Sequence, residues 1–200
     1  MNRKEFFRMV SDRPTGELTI VQHAYWLAKN AHRPQVPRDN GERYFEHPRA
    51  VAISLIERQF RDTEVIVLAL CHDVVEDTNT PPAIIVDMLG RRIWEGLELL
   101  SKYMPNFDPI TGQILGRYKK DAEEYFEVLA HASGTVRLVK CADRLHNLST
   151  CEAWEDERIN RYIAETEKHI IPLARDISRV YGDELRKAIV DLKFGMTCSA

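Results

Sequence analysis

Apolar residues return with helical period along almost the whole chain, and neither a glycine-rich turn nor a βαβ alternation interrupts them. A chain patterned in this way has only helix-on-helix packing with which to bury its apolar stripes. Residues 18–32 repeat apolar positions at helical spacing, and 34–41 break the pattern with two prolines and a glycine. His47-Pro48 opens the next helix, to about residue 59, since proline suits a first turn where its missing N–H needs no partner. A further helix is predicted over about 63–76. Thr80 is expected to cap a short one begun by Pro81-Pro82 and stopped at Gly90. Helices over 91–103, 119–132, 135 to about 151, and about 156–181 follow, with Gly182 interrupting before a last helix over 184–194. Residues 104–116 hold two prolines and two glycines and read as a mobile loop. Val65–Leu70 and Val136–Val139 are β-branched enough to imitate buried strands, but nothing around them supports a sheet. The fold class is therefore all-α, a single domain over 1–200.

Composition narrows the function. With 200 residues, 44% hydrophobic, 30% charged and a net charge of -3, the chain has the make-up of an ordinary globular domain, with no basic stripe for nucleic acid. Its longest apolar run, 65–71, is too short to cross a bilayer, and residues 1–10 lack a signal-peptide core. The four cysteines (71, 141, 151 and 198) show no Cys-x-x-Cys spacing and read as reduced thiols of a cytoplasmic protein.

Chemistry concentrates in the pair His72-Asp73, with His47 upstream and Asp143 downstream. Two imidazoles and two carboxylates suit a borderline divalent ion while leaving positions open for water and a phosphate oxygen. Mn²⁺, Fe²⁺ and Zn²⁺ are all compatible with these ligand types. On a regular helix His72 would lie over Glu76 and Asp73 over Asp77, placing two more carboxylates one turn from the pair. Such carboxylates can take a proton from water and orient it for attack on phosphorus. Two acids at a helix C-terminus are also locally unfavourable, which points to function.

The ordered set His47, His72-Asp73, Asp143 resembles the HD superfamily of metal-dependent phosphohydrolases. The stretches Ala31-His32, Gln35, Arg38, Gly41–Pro48, His72–Thr78 and Ala142–Leu148 resemble more narrowly the hydrolase domain of RelA/SpoT-type proteins. The resemblance covers about 20–152, with a helical extension over about 153–195. It implies a compact HD-domain bundle with a long C-terminal helix and a stand-alone small alarmone hydrolase. That family removes pyrophosphate from the 3′ position of guanosine tetra- and pentaphosphate, using manganese. It also implies roles. His47, His72, Asp73 and Asp143 hold the metal, Glu76 and Asp77 handle the proton, and Arg38 stacks on the base. Lys102 lies near phosphate, with Asn147 and Thr150 contacting the nucleotide. Lys140, Arg117, Lys119 and Lys120 have weaker claims on the same mouth.

Departures from the family pattern cluster near the nucleotide: Asp39 replaces a basic residue, Ser149 an arginine, and Ser101-Lys102-Tyr103 a Thr-Lys-Leu. Adenosine alarmones or NADPH therefore stay open as substrates. So do another HD nucleotide phosphohydrolase and a non-catalytic nucleotide-binding module. The C-terminal helix either packs back on the domain or forms a homodimer face.

Overall fold

Helix α4 (Thr63–Cys71) is apolar on every side, and Val65–Cys71 are all buried. A helix without a polar face must be wrapped, and α2 (Thr15–Ala31), α3 (Glu46–Glu57), α7 (Arg91–Leu100) and α9 (Gly134–Leu148) pack around it. Gly96 marks the tightest approach: a Cβ there would stand 2.9 Å from Leu68 Cδ2, so α7 comes closer to α4 than a side chain permits. The computed structural model describes residues 3–198 apart from 109 and 112, with 195–198 by backbone only. A short α1 (Arg3–Met9), absent from the sequence reading, buries Phe6 against Tyr25 of α2. No helix among the described residues is long and apolar enough to cross a membrane. Cys71, Cys141 and Cys151 are buried free thiols, and the Cys198 side chain lies outside the described residues.

The helical class holds, and β-branched 65–70 and 136–139 are helical as expected. Five details differ. The helix predicted over 63–76 stops at Cys71. His72 Nδ1 donates to the Ala69 carbonyl at 2.8 Å, and Asp73 relaxes to φ -93, ψ -6 before a one-turn α5 (Val74–Asp77). Thr80 does not cap α6 (Pro82–Leu89); Pro81 occupies the cap position and Thr80 bonds Thr78 instead.

The expected loop over 104–116 is part of an antiparallel hairpin, β1 (Tyr103–Phe107) and β2 (Ile114–Lys119). Each strand of a two-stranded ribbon has a free edge, so Pro105 need not donate to a ladder. Asp108 Oδ1 accepts from the amides of Ile110 and Thr111 and shapes the turn. The hairpin also shortens its neighbours. Helix α7 ends at Leu100, and α8 (Ala122–His131) starts after Asp121, whose side chain caps the amides of Glu123 and Glu124.

Gly182 interrupts nothing. Helix α10 (Asp156–Glu165) passes through a π-helical turn, Thr166–Ile170, into α11 (Ile171–Ile177), and the break falls at extended Ser178, before α12 (Arg179–Cys198). Both α11 and α12 pack back onto α9.

Candidate active site

The start of α3, the α4–α5 turn and the middle of α9 converge on one buried cluster. His47 comes from the first turn of α3, His72-Asp73 from the α4–α5 turn, and Asp143 from the middle of α9. His47 Nε2 lies 3.2 Å from His72 Nε2, 3.1 Å from Asp143 Oδ1 and 3.6 Å from Asp73 Oδ2. His72 Nε2 lies 3.2 Å from Asp73 Oδ1 and 3.5 Å from Asp143 Oδ1. Donor atoms about 2.1 Å from one ion sit roughly 3 Å apart when adjacent, so His47, His72 and Asp73 can hold a divalent metal.

The donor chemistry fits the same reading. The Ala69 carbonyl can only accept, so His72 Nδ1 carries a proton and directs Nε2 at the cluster. His47 Nδ1 faces His146 Nδ1 at 2.9 Å; when His47 donates there, its Nε2 too is a bare lone pair. Burial pushes the Asp73 carboxyl up and opposes charge on His72, yet Asp73 and Asp143 raise His72 to about 9. The acids thus demand positive charge at this point. Burial drives His47 the other way, toward neutrality. Burial opposes charge on Asp143 too, but Lys140 beside it holds its carboxyl well below the usual range.

The break after Cys71 sends the next two carboxylates apart. Glu76 Oε2 accepts from the Lys102 amide at 2.8 Å, and burial pushes its carboxyl up. Asp77 turns to the α2–α3 connection: Tyr44 Oη donates to Oδ2, and Gln35 Nε2 donates to its carbonyl at 3.0 Å. Gln35 is oriented in turn by His32, which stacks on Tyr44. Gln35, His32 and Tyr44 fall within the family-like stretch 31–48, but no sequence signal assigned them to Asp77.

Arg38 and Asn147 are brought together at 2.7 Å, with Arg38 over the Tyr44 ring and Asn147 donating to Asp143 Oδ1 at 2.6 Å. Thr150 bonds the His146 carbonyl and, with Arg38, Asp39, Tyr44, Trp154 and Arg158, lines a cavity of about 370 Å³. Asp39 does not stand there as a bare acid: Arg158 pairs with it at 3.1 Å while lying 3.8 Å from the Trp154 ring. A larger cavity, about 980 Å³, opens beyond the His32–Tyr44 stack and contains none of the clustered acids.

Lys102 turns elsewhere. Its Nζ lies 2.7 Å from Glu165 on α10, and burial lowers the ammonium to about 8. Glu165 also holds Arg144, a fully buried guanidinium that reaches Thr166 Oγ1 and the Tyr162 ring. This α9–α10 network went unseen in the sequence. Lys140 Nζ, 3.2 Å from Asp143 Oδ2, is the buried cation beside the cluster; burial works against its charge, but Tyr125, Asp143 and Glu76 keep it protonated. Arg117 clamps the α5 turn, donating to the carbonyls of Val75 and Thr78.

Residues 24–176 match the HD domain family. The chain belongs to it. This HD-domain chain is 32% identical over 165 residues to the bifunctional (p)ppGpp synthase/hydrolase SpoT of Escherichia coli K12, covering 80% of this chain and 22% of that protein. It is 34% identical over 157 residues to a guanosine-3′,5′-bis(diphosphate) 3′-pyrophosphohydrolase of Aquifex aeolicus, covering 77% and 21%. The chain spans about a fifth of the length of these curated relatives. In fold it matches a solved structure, a metazoan SpoT ortholog described as hydrolysing ppGpp and acting in starvation responses. That match has a TM-score of 0.69 and 22% identity, and covers 90% of this chain and 97% of the other.

Proposed function

We propose that the chain is a metal-dependent 3′-pyrophosphohydrolase of guanosine tetra- and pentaphosphate. The observation that carries this reading is the convergence of Asp73 and Asp143 on His47 and His72, each 3.1–3.6 Å from both imidazoles, in a chain whose curated relatives include alarmone hydrolases. Mn²⁺ is the metal we assign. When bound, it supplies Lewis acidity toward water and a phosphoryl oxygen. Lys140 keeps Asp143 ionised from the Oδ2 side, and Asn147 orients Oδ1, the oxygen that faces His47 and His72.

Glu76 and Asp77 share the proton work in this proposal. Both are anchored through one side: Glu76 by the Lys102 amide, Asp77 by Tyr44 and Gln35. A carboxylate so held can take a proton without first searching for its rotamer. The nucleotide lies toward Arg38, Asn147 and Thr150, its base in the 370 Å³ cavity, where a planar guanidinium can stack on a purine. Lys140 on α9 supplies positive charge that offsets the negative charge of a polyphosphate, and Lys102 contributes only if it leaves Glu165. The substrate is a small nucleotide.

Asp73→Ala and Glu76→Ala should each abolish turnover of ppGpp, and metal analysis should find only Asp73→Ala empty. Near-normal activity in metal-quantified Asp73→Ala would sink the proposal.

A further inference from the structure

The one-turn helix that carries Glu76 has no length to hold itself. A four-residue helix forms almost none of its own ladder, and its C-terminal carbonyls face outward with two acidic side chains beside them. Lys102, strand β1 and Arg117 of β2 meet it from outside. Arg117 on β2 spreads its guanidinium across the end of the turn, with Nη1 donating to the Val75 carbonyl at 2.8 Å and Nη2 donating to that of Thr78. The Lys102 amide, at the foot of the same hairpin, donates to Glu76 Oε2 at 2.8 Å. The two carbonyls flank Glu76 and Asp77 in sequence, so the hairpin grips the backbone on both sides of the acids and one of the carboxylates directly.

We infer that Arg117 is a positioning residue. By bridging Val75 and Thr78 it sets the orientation of the turn, and through it the orientation of Glu76. This rests on the proposed hydrolase reading for its effect on turnover, and on the geometry alone for the clamp. A planar guanidinium with two forked donors can bridge two carbonyls, whereas a lysine ammonium is a point charge on a flexible stem. Arg117 itself is exposed, so replacing it removes the bridge without opening the core.

The test is Arg117→Ala and Arg117→Lys, with metal content, steady-state kinetics on ppGpp and amide hydrogen exchange measured on each. In Arg117→Ala, kcat should fall about 10- to 100-fold, as for a group displaced by roughly an ångström. KM should change by less than about threefold and metal content should not change. Millimolar guanidinium should restore kcat to Arg117→Ala while leaving wild type unaffected, and Arg117→Lys should recover only a fraction. The amides of 75–79 should exchange faster in Arg117→Ala while those of α4 keep their protection. Three results would overturn the inference: unchanged kcat, a rise in KM alone, which would make Arg117 a substrate contact, or unchanged exchange over 75–79. Should the wild type release nothing from ppGpp, the hydrolase reading fails, and the exchange measurement still decides the clamp.

Discussion

Glu165→Gln should destabilise the protein by about 2–3 kcal/mol at pH 7, and the penalty should vanish in acid. Glu165 sits between two cations, Arg144 with 1% of its side chain exposed and Lys102 at 2.7 Å. Burial pushes the carboxyl up, but Arg144 and Lys102 hold it down at about 2 against an ordinary glutamate near 4.5. That gap is worth at most about 3 kcal/mol, at about 1.36 kcal/mol per pH unit. The side chain is 29% exposed, which trims the figure toward 2. The sign follows from the lowered value: the contribution is complete above about pH 4.5 and is lost as pH falls toward 2. Glutamine keeps the shape and leaves the guanidinium and ammonium without a counter-charge, the costly way to break a buried pair. Urea denaturation of both proteins between pH 7 and 3 would measure it, and at neutral pH the melting point should drop by about 5–10 °C. A neutral-pH difference below about 1 kcal/mol, or one that does not shrink with acid, would refute the reasoning.

Tyr44→Phe removes the donor to Asp77 Oδ2 and should lower kcat about tenfold with the metal retained; full activity with normal metal content would free Asp77 from this anchor. His32 is buried and its imidazole lowered to about 4 by desolvation, against an ordinary value of 6.5. The unfolded chain takes up that proton first, so stability should fall by up to about 3 kcal/mol as pH drops from 6.5 to 4. His32→Asn should lose correspondingly less over the same window in chemical denaturation, and parallel slopes would refute it.

Helix was legible wherever an apolar stripe had to face α4, because burial of that stripe decides the structure. The hairpin was not, because Pro105, Pro109, Gly112 and Gly116 carry the same loop composition whether or not their neighbours pair. The stop at Cys71 has no proline or glycine to announce it; a histidine side chain taking the Ala69 carbonyl does the work. Gly182 shows the converse: a residue that weakens helices in isolation is carried by the packing of α12 on α9 and α11. In the site, His47, His72, Asp73 and Asp143 could be proposed as a set because two histidines and two aspartates in this order are hard to explain separately. Their supports could not. Glu165 reaches Lys102 across 63 residues of chain, and Tyr44 reaches Asp77 across 33, distances at which a single sequence carries no pairing signal. Asp39, read as a departure among expected cations, is balanced by Arg158, which sequence spacing gave no reason to place beside it.

The most direct test of the central claim is the product formed when metal-stripped protein receives Mn²⁺ and ppGpp. The account predicts pyrophosphate and GDP in equal amounts, with no release before the metal is added and none from Asp73→Ala. Orthophosphate as the product, or intact ppGpp alongside turnover of ppApp or NADPH, would contradict it.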